Sequence, residues 1–298
     1  MSALNMDCEQ RGDIDSVFGW IANLCNKETR LWAMLELFER RSNIDSLGLL
    51  LWHSFGAVSG LLQEIVTIYP VIYQEIELTA QQSHRICTAI GLIQAMAAHP
   101  FIGIQLIRCQ FMCYLMPLLK MTSQTRAVEH VRLSVLGVIC GLLKSDHPEI
   151  VSYFLGTELI PLTLRQLEFG TTMSKVLCAF VLYRTLEHEV GLKFASRRLA
   201  RRLHLIHTLA RVVHQLTLEP EPRVLKHVVR IYSRLADHPQ NLELVLKLLP
   251  AQIRNGYFCQ EVLVGFESAS LELADLNRKL SKREEKDKAC DDTMPENH

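Results

Sequence analysis

The chain has 298 residues, of which 49% are hydrophobic and 21% charged, and its 32 basic side chains equal its 32 acidic ones. This balance is typical of a globular protein, and it excludes a fully disordered chain. It also excludes the large basic excess of a histone-like or ribosomal protein. A chain of this length can bury one large core or two modest ones.

The first 15 residues are polar and acidic, and they contain no apolar run of the kind found in a secretory signal. A transmembrane helix would need about twenty successive apolar residues, and no such stretch is present, so we expect no membrane span. The nine cysteines are scattered over helical patterns, where a free cysteine behaves as a small buried hydrophobe. This usage indicates a reducing compartment.

Apolar residues recur every three or four positions along the chain, which predicts helices throughout. One helix is predicted to begin at the capping box formed by Thr79 and Gln82. It should end near His99, because Pro100 disfavours the helical conformation in the residue before it. Another covers residues 128–143 and is apolar nearly all round, so we expect it to be buried inside a stack of helices.

A repeated sequence pattern consists of a His-Pro turn followed by a short amphipathic helix. A second proline is expected to end that helix. It occurs at His99-Pro100 with Pro117, at His147-Pro148 with Pro161, and at His238-Pro239 with Pro250. A degenerate copy is expected at residues 187–194, with Gly191 in place of the proline. Units of about 40–47 residues with two or three helices are typical of armadillo and HEAT repeats.

The sequence therefore predicts an all-α, armadillo-type helical-repeat solenoid of about six repeats, with an irregular helical bundle as the alternative. Residues 1–15 are predicted to be a flexible leader and residues 16–276 the armadillo-repeat domain. Residues 277–298 are densely charged and have no face that could join a core. We expect their first part to extend a last helix and the rest to form a disordered tail.

No motif in the sequence predicts catalysis. The GAVSG of residues 56–60 lies on a helical pattern, whereas a nucleophile elbow needs a turn between a strand and a helix. The GTTMSK of residues 170–175 lacks the spacing of a phosphate loop. It favours instead a helix end at Gly170 followed by a Ser/Thr N-cap. We expect a protein that is not an enzyme and has no cofactor.

Two residue pairs have spacing that could begin a metal site. Cys109 and Cys113 are placed at i and i+4 on one predicted helix face, and His204 and His207 form an H-x-x-H pair. Neither pair has a second pair or an acidic partner at ligand spacing, so a structural role is favoured for both and no metal is expected.

A cluster of arginines lies at residues 197–202. On one helix it would form a continuous basic ridge of Arg197, Arg198, Arg201 and Arg202, preceded by Lys193 and extended by Arg211. Such a ridge could hold the phosphates of single-stranded nucleic acid with little sequence preference. The alternative is a solvated helix face, and the lack of interleaved aromatic residues argues against base stacking.

Several longer strings resemble the Rcd1/Caf40 family, the armadillo-repeat subunit of the Ccr–Not deadenylase complex. They are LWHSFGAVSGLLQEIVTIYP (residues 51–70), LTAQQSHRICTAIGLIQ (78–94), VRLSVLGVICGLLKSD (131–146), ELIPLTLR (158–165) and VLKHVVRIYSRLADHP (224–239). The resemblance extends over about residues 17–253 and covers most of the chain.

The resemblance implies a non-catalytic adaptor that docks on a Not1-type scaffold protein and recruits regulators to mRNA deadenylation, mRNA decay and translational repression. His53 and Phe55 match positions of the scaffold contact. Gly137 and Leu177 match a groove for helical peptides of mRNA-binding regulators, and the retained glycine predicts a close approach of helices. Roles in RNA-mediated silencing and transcription regulation, homodimers, and a cytoplasmic location with P-bodies and the nucleus are also implied.

The family also binds tryptophans of Gly/Trp-rich silencing proteins in a pocket whose wall is a tyrosine followed two residues later by arginine. Leu199 and Arg201 stand at these positions, so the aromatic wall is absent here. The arginine cluster and the charged tail are further departures from the family pattern. The sequence therefore resembles a diverged paralog.

Overall fold

The computed structural model describes residues 8–74, 76–255, 257–258 and 267–291. All regular secondary structure in that part of the chain is helical, so the predicted all-α fold of armadillo-type helical repeats is confirmed. The chain divides into two compact units, one up to Ile150 and one from Val151. Each unit is built around its own buried apolar side chains.

The first unit begins with helix α1. Its helices are α1 (Cys8–Asn23), α2 (Arg30–Glu39), α3 (Leu47–His53), α4 (Ala57–Val66), α5 (Tyr69–Tyr73), α6 (Ala80–Ala97), α7 (Pro100–Arg108), α8 (Met112–Leu119) and α9 (Arg126–Lys144), and the division between units falls within α10 (Pro148–Leu155). Helix α6 is central because it packs against α2, α3, α4, α7 and α9.

Both helices predicted in detail are present in the first unit. The Thr79 side chain accepts a hydrogen bond from the backbone N–H of Gln82, and the Gln82 side chain accepts one from the backbone of Thr79, which completes the predicted capping box of α6. Helix α9 buries Val131, Val135 and Ile139 fully, as expected for a helix that is apolar nearly all round.

The second unit ends with a long helix. Its helices are α11 (Leu159–Phe169), α12 (Thr172–Glu187), α13 (Glu189–Ser196), α14 (Leu199–Leu218), α15 (Pro222–Ala236), α16 (Pro239–Leu248), α17 (Ala251–Arg254) and α18 (Glu267–Asp291). Helix α12 packs against α11, α13 and α15, and α15 packs against α16 and α18.

Helix α18 passes through the boundary predicted at residue 277. Leu276 and Leu280 are buried, and the Lys279 ammonium lies 3.0 Å from the Asp237 carboxylate of α15. The backbone of residues 277–291, which the sequence places in the charged tail, is helical, and the contacts of residues 276–280 anchor its first part. Residues 1–7 and 292–298 lie outside the described residues, and the division into leader, repeat domain and tail stays a prediction.

The His-Pro turns begin helices as predicted. His99 and His238 are extended N-cap residues, and the proline after each is the first residue of its helix, where a missing N–H costs nothing. The degenerate fourth copy is present at α13, whose N-cap is His188. Glu189 occupies the position of the proline, so the assignment of that position to Gly191 is wrong.

The expectation that a second proline ends each short helix is wrong for two of the three copies. Helix α7 already ends at Arg108, and the left-handed conformation of Gln110, with φ of 58°, redirects the chain. Pro117 then lies inside α8, and Pro161 lies inside the first turn of α11. Only Pro250 stands directly before a helix, as the N-cap of α17.

No single helix in the described part of the chain is both long and apolar enough to cross a membrane. Two sharply bent pairs meet the criteria by length and composition, Leu47–His53 with Ala57–Tyr73 at 92° and Ala80–Ala97 with Pro100–Arg108 at 115°. Many of their apolar residues are buried against other helices of the first unit.

A buried ion-pair network joins three helices of the first unit. The Glu64 carboxylate of α4 lies 3.1 Å from the Arg30 guanidinium of α2 and also accepts a hydrogen bond from Arg85 of α6. Only 2% of the Glu64 side chain is exposed. Burial alone would raise the pKa of Glu64, but the hydrogen bonds from Arg85 and Arg30 outweigh it and hold the pKa below its ordinary value of 4.5.

Replacing Glu64 with Gln should lower the free energy of unfolding by about 3–5 kcal/mol, because it leaves the Arg30 charge buried without its partner. The matched control is Glu36→Gln, which removes an exposed pair with Arg40 and should cost about 0.3–0.5 kcal/mol. Urea denaturation measures both. Equal losses in the two variants would contradict the central role of Glu64.

Comparison of the wild type with Glu64→Gln also tests the pH dependence of this ion pair. Because the pKa of Glu64 is lowered by folding, its contribution is complete above about pH 4.5 and is lost as the pH falls through the folded pKa. The difference in unfolding free energy between wild type and Glu64→Gln should therefore shrink below that pH. A difference that stays constant from pH 7 to the acid transition would be inconsistent with this assignment.

Candidate partner-binding surfaces

The bend between α3 and α4 presents Phe55 to solvent. Ser54 is extended and Gly56 has φ of 79°, a left-handed conformation that glycine adopts without strain. The Phe55 side chain is 100% exposed, although its backbone is fixed by a hydrogen bond of 3.2 Å from the Cys25 thiol to the Phe55 carbonyl. His53, the last residue of α3, is also exposed. The two predicted scaffold-contact residues thus lie exposed at one bend of the chain.

The helix α4 follows this corner in the chain. Ser59, Leu62 and Val66 lie at helical spacing on its outer face and border an open hollow of about 420 Å³. The opposite face of α4, which includes Leu61 and Ile65, is fully buried. We call Ser59, Leu62 and Val66 the α4 stripe. These three residues were not predicted from the sequence, although the apolar Leu62 and Val66 on a second face of α4 were a usable signal.

Gly137 lies on α9 and is half-buried. A Cβ atom at this position would come within 2.8 Å of the Gln94 side-chain amide of α6, whereas no backbone atom is among its nearest neighbours. The exposed Gln94 side chain thus lies over this glycine, and the expectation that Gly137 allows the close approach of a helix stays a prediction.

Leu177, the second predicted groove residue, lies on α12 and is also half-buried. Gly137 belongs to the first unit and Leu177 to the second, and each has exposed surface on its own unit. The assignment of both residues to a peptide groove stays a prediction.

The predicted continuous arginine ridge is not formed. Helix α13 ends at Ser196 and α14 begins at Leu199, so Arg197 and Arg198 lie in the connection between two helices. The other two arginines contact neighbouring helices or loops of the protein. Arg201 donates to the Phe194 carbonyl, and its guanidinium lies 3.6 Å from the centre of the Phe194 ring. Arg202 donates to the Gln240 carbonyl at 2.9 Å. Nucleic-acid binding by this segment stays a prediction, and Arg197 and Arg198 are the two arginines of the predicted ridge that would contact the phosphates.

The two positions compared with the tryptophan pocket lie in the first turn of α14. Leu199 is 54% exposed on the surface, and Arg201 is held against Phe194. The cavity of about 20 Å³ beside Arg201 is not lined by Leu199, and the loss of tryptophan capture stays a prediction.

The two residue pairs with metal spacing lie on helices α7, α8 and α14. Cys109 is the C-cap of α7 and Cys113 lies in α8, so the assumption that they share one helix face is wrong. His204 and His207 are exposed on α14. Among the described residues, no group of three or more His, Cys, Asp or Glu side chains could hold a metal ion.

The GAVSG of residues 56–60 and the GTTMSK of residues 170–175 lie at helix ends, as the sequence predicts. Gly56 is the N-cap of α4, on a helix. Gly170 is the C-cap of α11, and the Thr171 side chain caps α12 by accepting from the Ser174 N–H at 3.3 Å. These observations confirm the predicted helix end and N-cap.

Together, the helical repeats and the exposed faces define an armadillo-type repeat protein with surfaces available to partners. The chain matches the family model described as "Cell differentiation family, Rcd1-like" over residues 20–278. It belongs to the Rcd1 family, which confirms the resemblance seen in the sequence.

Two curated relatives support this membership. The chain is 37% identical over 244 residues to the cell differentiation protein rcd1 of Schizosaccharomyces pombe, covering 82% of this chain and 86% of that protein. It is 34% identical over 249 residues to protein CAF40 of Saccharomyces cerevisiae, covering 83% of this chain and 66% of that protein.

Two glycines of this family member should respond differently to substitution by alanine. A Cβ atom at Gly191 would lie 1.8 Å from the Thr185 carbonyl oxygen, whereas at Gly137 it meets only the mobile Gln94 side chain. Gly191→Ala should therefore lower the free energy of unfolding by about 1–3 kcal/mol through overpacking, and Gly137→Ala by much less. Thermal unfolding followed by circular dichroism compares them, and equal melting temperatures would refute the difference.

Proposed function

We propose that the protein is a non-catalytic adaptor of the Ccr–Not mRNA deadenylation complex that docks on a Not1-type scaffold protein. Family membership supports the complex, and the observation that carries the docking surface is the full exposure of Phe55 at a fixed corner. An aromatic side chain held out in this way costs little further ordering when it enters a pocket of a partner.

The α4 stripe gives this corner an extended apolar contact. Leu62 and Val66 lie along the outer face of α4, the helix that follows Phe55 in the chain, and a face of this kind fits the apolar side of a helix from the scaffold. In this proposal His53 contributes the polar edge of the same surface.

The adaptor role includes binding helical peptides of mRNA-binding regulators on surfaces that contain Gly137 and Leu177. The first of these sites is supported by Gly137, which is half-buried on α9 and has the exposed Gln94 side chain as its nearest neighbour. We also propose a cytoplasmic location with P-bodies and the nucleus, where mRNA decay and its regulators are found.

Phe55→Ala should weaken binding to a purified Not1-type scaffold fragment at least about tenfold, because it removes the exposed aromatic anchor. The matched control is Phe169→Ala, since Phe169 is 69% exposed but lies on α11 of the second unit. Titration calorimetry measures both variants, and unchanged melting temperatures verify folding. Equal affinities of the wild type and Phe55→Ala would argue against docking through this corner.

Leu199→Tyr should create binding to a Gly/Trp-rich peptide that the wild type does not retain, because tyrosine supplies an aromatic wall beside Arg201. The control is Leu218→Tyr, which places a tyrosine at the other end of α14 on a residue that is 75% exposed. Fluorescence anisotropy of the labelled peptide detects the gain. Wild-type binding as tight as that of Leu199→Tyr would show that the leucine does not prevent tryptophan capture.

A further inference from the structure

An open cleft of about 570 Å³ lies between α6 and α9 of the first unit. Its polar lining consists of Ser83, His84 and Cys87 from α6 and of Arg126, His130 and Ser134 from α9. Since both helices are long and pack directly against each other, the two walls of the cleft are held at a fixed separation.

The cleft presents hydrogen-bond donors and no carboxylate. The Ser83 and Ser134 hydroxyls already donate to the carbonyls of Ala127 and His130, at 2.7 and 2.9 Å. In the described part of the chain, the exposed Arg126 guanidinium has no ion-pair partner. The exposed imidazoles of His84 and His130 each bring at least one N–H. The groups left available therefore fit an anion.

The rim of the cleft adds to this preference. No side-chain hydrogen bond caps helix α9, and the Thr125 hydroxyl accepts a hydrogen bond from the Ser123 hydroxyl. The backbone N–H groups of its first turn and its dipole both favour negative charge at this end. The buried Arg132 guanidinium donates to the carbonyls of Met121 and Ser123, which fixes the loop before α9.

The cleft lies on the same side of α9 as Gly137. His130, Leu133 and Gly137 follow one another at spacings of three and four, so they share one helix face. The cleft is therefore one end of the surface on which we place the peptide. Nucleic acid fits it less well, because the lining includes one permanent cation and no Phe, Tyr or Trp ring on which a base could stack.

We propose that the α6–α9 cleft binds the carboxylate of an Asp or Glu side chain on the helical peptide, with Arg126 as the charged partner and His84 and His130 as donors. This inference rests on the peptide-binding function proposed above, because it assigns a charge requirement to one end of that surface. A guanidinium and a carboxylate form charge-assisted hydrogen bonds, which are stronger than neutral ones.

The test begins with a phage-displayed library of amphipathic helical peptides selected on the full chain. Gly137→Trp fills the surface beside Gln94 and identifies the selected peptides that use it. We expect these peptides to carry Asp or Glu at one fixed helical position. Selected peptides that depend on Gly137 without an acidic preference would overturn the cleft assignment and leave the peptide groove standing. Failure to obtain any such peptide would overturn both.

The decisive measurement compares one selected acidic peptide with its Asp→Asn or Glu→Gln counterpart. We expect the amide peptide to bind the wild type about tenfold more weakly. Both peptides should bind equally to a cleft variant that combines His84→Gln, Arg126→Gln and His130→Gln. These three side chains are exposed, so the variant should fold normally.

The matched control variant carries His204→Gln, His207→Gln and Arg165→Gln, which remove the same groups from exposed positions of the second unit. It should keep the wild-type preference for the acidic peptide. Loss of the preference in the control, or its persistence in the cleft variant, would overturn the proposal. Binding of an oligouridylate that disappears only in the cleft variant would assign the cleft to nucleic acid and would also overturn it.

Discussion

The carboxylate of Glu64 is the point at which three helices of the first unit meet. A charge in this position must be compensated, and the two guanidinium groups of Arg30 and Arg85 do so from α2 and α6. Arg30 also donates to the Leu24 carbonyl at 2.7 Å, which fixes the connection between α1 and α2. This interaction therefore aligns the helices around α4.

The exposed corner at Phe55 depends on that alignment. Gly60 of α4 packs so closely on the Leu24 carbonyl that a Cβ atom there would lie 2.5 Å from its oxygen. The neighbouring Cys25 thiol binds the Phe55 carbonyl. Buried charge, a glycine contact and one thiol hydrogen bond thus hold the α3–α4 bend, and the phenyl ring is exposed because no helix packs over it.

Ring stacking and an ion pair position the helices of the second unit. His227 of α15 stacks on the Tyr183 ring of α12, with 5.7 Å between ring centres, and Arg230 pairs with Glu272 of α18. Burial, together with the nearby charges of Arg230 and Lys226, lowers the pKa of His227 to about 4. The imidazole is therefore neutral near pH 7, and it packs as an aromatic ring between α12 and α15.

Local chemistry accounts for what the sequence predicted well. The Thr79 capping box, the extended His99 and His238 N-caps and the apolar periodicity of α9 all act within one or two helical turns, so they can be read without tertiary information. The family resemblance was also readable, because it rests on long strings of residues. The helix breaks before Leu199 and after Arg108 could not be predicted from the sequence, because the residues on both sides of each break have helical periodicity.

The partner surfaces depend on contacts between residues far apart in the chain. Periodicity could not separate the outer face of α4 from its buried face, because both are apolar and only packing on α6 selects one. Periodicity also could not predict that Arg201 stacks on Phe194 or that the Gln94 side chain lies beside Gly137. The sequence alone determined the all-helical class, several helix starts with their caps, and the family, which follow from local pattern. Tertiary structure decided which side chains remain exposed, because exposure is set by what packs against each helix.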